Sequence, residues 1–224
     1  MSFTGQIREV ARVDLVVERR AGETFRIVLP FAIVTLIIFS LSLGGDVAVL
    51  RTVGPAVFWA ISVLFGMQLA LRASALDSPT RRDLMLLLDL DPAARFLGRT
   101  LASAILVLTF MTVLFATMVV FFDPSLPGGW FWPILAAISL AAIGLAALST
   151  LAGGVAAGTR NRSSLASLIV APLVIPVVVG GSQVMEAMER NSGILLWILL
   201  LITSDLALLV AGIGLSRPLE EASR

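Results

Sequence analysis

Long charge-free apolar runs alternate along the chain with short charged connectors, and no stretch shows the period-two alternation of a membrane β-barrel strand. Six runs are close to or beyond the roughly 20 residues that carry a helix across the hydrocarbon of a bilayer. They fall near 27–45, 52–71, 100–122, 130–159, 163–185 and 191–216, the last interrupted by a single acid, Asp205. The fourth is preceded by Pro124-Ser125-Leu126-Pro127-Gly128-Gly129, which is turn chemistry and places the helix start near Trp130. The pattern predicts an all-α polytopic membrane protein: six transmembrane helices in one domain over residues 1–224, with no soluble appendage.

The residues before the first run behave differently. Between Gln6 and Arg26, Ile7, Val10, Val13, Val17 and Ala21 recur at mostly three- and four-residue steps, with Arg8, Arg12, Arg19 and Arg20 on other sides. This spacing predicts an N-terminal amphipathic helix lying in the interface, its arginines meeting anionic head groups. Two roles fit it equally: an elbow that rests against a partner, or a purely topogenic segment. It is not a cleavable signal, since the first 26 residues carry nine charges and no apolar core.

Arginine placement gives the orientation. Fourteen of the 16 basic residues fall in 1–26, in 72–99, around Arg160 and Arg162, or after the sixth run, all on one side of the predicted bundle; only Arg51 and Arg190 fall on the other. Basic residues in short loops stay on the cytoplasmic side, so both termini are expected there, in a multi-pass protein of a bacterial inner membrane.

Composition then removes chemistry. The chain is 58% hydrophobic and 14% charged, and every basic residue is arginine; His, Cys and Tyr are absent. There is no imidazole, thiolate or disulfide to build on, and a net charge of +1 gives no field for nucleic acid. An enzyme is a poor reading, and no metal site is expected.

Four features remain as candidates. In the connector 72–99, Ser78-Pro79 and Asp91-Pro92 both read as an N-cap followed by proline at the first helical position, bounding a short helix over 79–90 with Leu84, Leu87 and Leu88 on one face and Arg81, Arg82, Asp83 and Asp89 elsewhere. Joined to two spans, it can transmit force from a soluble subunit or lie on the bilayer surface. Pro172 and Pro176 remove two backbone donors within one turn of the fifth span, so the helix should kink or loosen there, as a hinge, a pathway lining or a static bend. Gly154 and Gly158 form a small-xxx-small pair for close helix packing. Asp205 lies near mid-span, where a carboxylate should face protein or water; with Thr203 and Ser204 adjacent, a structural hydrogen-bonded aspartate is expected over a relay or substrate contact.

Two segments resemble the CcmB family, the membrane subunit of the haem-exporter ABC complex of cytochrome c maturation. One is Asp83-Leu84-Met85-Leu86-Leu87-Leu88-Asp89-Leu90-Asp91-Pro92 followed by Leu97-Gly98-Arg99; the sharper one is Leu168-Ile169-Val170-Ala171-Pro172-Leu173-Val174-Ile175-Pro176-Val177. The first departs from the family's usual pattern at Arg81, Arg82, Leu90 and Arg99. The resemblance implies a type-2 ABC exporter permease whose ATP is hydrolysed by a separate ATPase subunit. The chain contains no G-x-x-x-x-G-K-[ST] phosphate loop, which agrees.

On that resemblance, Leu84, Leu87 and Leu88 anchor the loop in the ATPase while Arg81, Arg82 and Asp83 set its register. A second permease chain, identical or related, completes the complex in the bilayer. Haem iron is held by His, Cys, Met or Tyr. Met185 and Met188, beside Glu186 and Glu189, make no convincing ligand pair, so no cofactor is expected on this chain and haem is left to partner subunits and a chaperone. Three alternatives share most of these features: another type-2 exporter of lipid, drug or polysaccharide, a carrier coupled through Asp205, and a membrane scaffold.

Overall fold

A computed structural model describes residues 2–21, 23–75, 90–158, 164–190 and 192–222. They form seven helices: α1 Phe3–Ala21, α2 Glu23–Ser42, α3 Val47–Ala75, α4 Pro92–Phe122, α5 Phe131–Gly158, α6 Ser164–Glu189 and α7 Leu195–Ala222. Each of the six predicted runs lies on one of α2 to α7, and most of these helices extend beyond the run itself. Four are long and apolar enough to cross a membrane over Val47–Ala70, Pro92–Phe122, Phe131–Gly154 and Leu195–Ser216; the apolar part of α2, Arg26–Ser42, is shorter. At 1.5 Å per residue that part is about 25 Å long, against a hydrocarbon core of about 30 Å. The chain is thus an all-α polytopic membrane protein.

The core follows from side-chain size. Apolar burial drives no association between helices already in lipid, so close packing has to hold them together. α5 is the central helix, packed by α3, α4, α6 and α7. Its middle, Ala141-Ala142-Ile143-Gly144-Leu145-Ala146-Ala147-Leu148-Ser149-Thr150, is small and nearly all buried. Large side chains come from its neighbours: Phe58, Trp59, Phe110, Met111, Leu114 and Met118 are all in the core cluster. The bulky exposed residues of α2 and α7, such as Phe31, Ile38, Leu199, Leu206 and Val210, face outward.

Several threonines of the bundle are satisfied within their own helix. Thr35, Thr109, Thr112, Thr117 and Thr203 each donate to the carbonyl four residues back, so their hydroxyls need no second helix. At the connectors, Asp46 Oδ1 accepts from the Ala48 N–H to cap α3. The turn before it runs through Gly44 and Gly45, whose φ angles of 71° and 77° require glycine.

Candidate functional site

The expected coupling residues Arg81, Arg82, Asp83, Leu84, Leu87 and Leu88 lie outside the described residues, as does nearly all of the predicted 79–90 helix. Its exit is described. Asp91 is the N-cap of α4, its side chain accepting from the Ala93 N–H at 3.0 Å, and Pro92 follows at the first helical position, as the sequence predicts. From there α4 runs 31 residues without a break to Asp123. That is about 46 Å, so some ten residues project past a 30 Å core.

α1 packs along the first turns of α4. The Asp91 N–H donates to Gln6 Oε1 at 3.2 Å. Gly98 lies under Val10 so closely that a Cβ on it would come within 2.7 Å of Val10 Cβ and 2.9 Å of the Ile7 carbonyl. Ala94 and Ala102, one turn to either side of Gly98, are buried. The buried side of α1 is therefore Val10, Ala11 and Glu18 flanked by Ile7, Asp14 and Val17, and Val13 is exposed. The apolar repeat alone did not reveal this face, because two of its members are acids. Glu18 is only 4% exposed, and Asp14, Glu18, Arg95 and Arg99 all make polar contacts.

Asp205 is buried at 3% exposure, where α7 meets α5 and α6. A Cβ on Gly144 of α5 would stand 2.6 Å from Asp205 Oδ1 and 3.0 Å from Val177 Cγ2 of α6. The structure thus brings Asp205 and the residue after Pro176 to one glycine notch. The hydrogen bonding expected of Asp205 is not found: Thr203 is spent on the carbonyls of Leu199 and Leu200, and neither Asp205 oxygen has a partner among the described residues. α6 continues as one helix through Pro172 and Pro176, with Pro172 exposed and Pro176 half-buried. Gly154 and Gly158 both lie in the last turns of α5, Gly154 half-buried.

Sequence reasoning singled out that pair and missed the glycines that touch other helices. Gly98, Gly144, Gly180 against Leu201, and Gly181 against the Trp59 ring all hold a neighbour where a side chain would stand, as does Gly212 against Phe96. Ala94-Gly98-Ala102 carries the same small-xxx-small signal and was legible.

At the opposite end, both isolated arginines are paired. Arg51 donates from Nε to the Asp123 carbonyl at 3.0 Å and from Nη2 to its carboxylate, joining the start of α3 to the end of α4. Arg190 pairs with Glu186, which also accepts from Gln183 Nε2 at 2.6 Å. Between them lies an open depression of about 350 Å³ lined by Arg51, Thr52, Ser125, Leu126, Pro127 and Glu189. Met185 and Met188 are buried just below, and the Met185 sulfur accepts from Trp59 Nε1 at 3.1 Å. Among the described residues, no group of three or more acids, His or Cys could hold a metal ion.

The architecture is that of a polytopic α-helical membrane protein built around a small-residue central helix. Over residues 6–216 the sequence matches the CcmB protein family, and the chain belongs to it: a non-catalytic permease subunit of the haem-exporter type, multi-pass in the bacterial inner membrane. It is also similar to heme exporter protein B of Pseudomonas aeruginosa, 28% identical over 197 residues that cover 84% of this chain and 85% of that relative.

Proposed function

We propose that this chain couples ATP hydrolysis in a separate ABC ATPase subunit to haem export, or to release of a haem-loaded chaperone, in cytochrome c maturation. In this reading the chain has six spans, with α2 and α6 crossing as well, both termini are cytoplasmic, and a second permease chain, identical or related, completes the complex. The ATPase docks on 72–99, with Leu84, Leu87 and Leu88 as anchors and Arg81, Arg82 and Asp83 setting register.

One observation carries the coupling. The last residues of that loop become, at Asp91-Pro92, an uninterrupted rod that reaches the far end of the bundle and touches α1, α2, α3, α5 and α7 on the way. A pull on the loop is therefore delivered to nearly every span. Gln6 and the Val10–Gly98 contact add α1 to the moving body. The notch that holds Asp205, lined by Val177 next to Pro176, is the place where α5, α6 and α7 would slide past one another. Haem itself is ligated by partners, since the Met185 sulfur is engaged by Trp59.

Co-purification of the ATPase subunit tests the docking. The wild-type chain should retain it and Leu84→Asp with Leu87→Asp should lose it; retention by the double variant would overturn the assignment.

A further inference from the structure

The sequence of α1 is close to neutral, with Arg8, Arg12, Arg19 and Arg20 set against Glu9, Asp14 and Glu18. The fold sorts these charges. Asp14 and Glu18 turn to the side packed on α4, whereas Arg8, Arg12 and Arg19 are exposed. At 3.6 residues per turn those three arginines fall within about 40° of one another around the helix. The only acid exposed with them is Glu9, which stands 3.9 Å from Arg12. Packing against α4 thus converts a nearly neutral helix into one with a basic outer stripe.

The next flank of α1 carries Val13 and Val16, which are 39% and 43% exposed. Arg26 is exposed at the start of α2, directly before the outward-facing Ile27 and Phe31. A basic stripe, an apolar flank beside it and a lipid-facing helix following on is the chemistry of an acidic bilayer surface. Guanidinium groups also suit phosphate, because they donate two parallel hydrogen bonds.

We infer that Arg8, Arg12 and Arg19 of α1 form a binding site for the phosphate headgroups of acidic phospholipids. The inference rests on the reading above that this end of the bundle faces the cytoplasm. Bound headgroups would hold α1 against the leaflet while the loop that α1 abuts is pulled.

The test is native mass spectrometry of the delipidated full-length chain titrated with phosphatidylglycerol or phosphatidylcholine. Wild type should bind phosphatidylglycerol more tightly, and Arg8→Gln with Arg12→Gln and Arg19→Gln should weaken that binding roughly fivefold or more while leaving phosphatidylcholine unchanged. Arg190→Gln, whose native guanidinium is taken up by Glu186, should leave it unchanged. Unchanged phosphatidylglycerol binding in a folded triple variant would overturn the site. So would loss of the co-purifying ATPase with lipid binding intact, which would assign the stripe to a protein partner. Failure of the ATPase reading shows separately, in the Leu84→Asp and Leu87→Asp co-purification.

Discussion

Val10 of α1 sits against the bare backbone of Gly98 on α4, where a Cβ would approach its own Cβ to 2.7 Å. The contact joins the N-terminal helix to the rod that leaves the coupling loop, and any side chain at 98 must push the two apart.

Gly98→Leu should therefore destabilise the chain by about 1–3 kcal/mol, the usual range for overpacking. Thermal unfolding of the detergent-solubilised protein gives the magnitude, and limited proteolysis should show faster cleavage within α1. Val10→Ala in the same chain should recover part of the loss. If Gly98→Leu unfolds at the wild-type temperature, the packing of α1 on α4 is wrong.

The Gly144–Asp205 contact makes a paired prediction. Gly144→Ala places its methyl where Asp205 Oδ1 lies, so the single variant should be destabilised, and Asp205→Ala should relieve it. A double-mutant cycle should give a coupling of roughly 0.5–3 kcal/mol, as for residues in contact. Strict additivity would contradict the shared notch.

Asp123 ends α4 in the left-handed region at φ 43°, with Arg51 bound to both its carbonyl and its carboxylate. Both side chains are substantially exposed, so the ion pair itself should contribute no more than about 1 kcal/mol. Asp123→Gly relieves the backbone strain while losing the pair and should be nearly neutral; Asp123→Val keeps the strain, loses the pair and should be worse. Chemical denaturation of the two variants ranks them, and the reverse order would contradict the strain argument.

Much of this fold was legible because lipid imposes a simple rule: every charge-free run of adequate length became a helix, and Asp91-Pro92 capped α4 as written. The contacts between helices were less so. Gly144 and Gly181 stand outside any small-xxx-small pattern, and only the three-dimensional crossing pairs them with Asp205 and Trp59. The side of α1 that packs on α4 was not legible, because it includes the acids Asp14 and Glu18. Thr203 was expected to serve Asp205, but a threonine in a helix reaches its own backbone first. The coupling residues 81–84, 87 and 88 rest on sequence and family likeness.

Orientation can be read directly, since the chain has no cysteine to remove first. Single replacements Ser2→Cys and Ser78→Cys should react with a membrane-impermeant thiol reagent only after the cells are opened. Ser125→Cys and Ser192→Cys, exposed at the arginine-poor end, should react in intact cells with a permeable outer membrane. The opposite pattern would invert the topology.

The central claim is that this chain transmits ATP hydrolysis through 72–99. Its most direct test is the hydrolysis rate of the purified ATPase subunit with and without the reconstituted chain. The account predicts that the wild-type chain raises the rate and that the Leu84→Asp, Leu87→Asp variant does not; a rate indifferent to the chain, or raised equally by both, would contradict it.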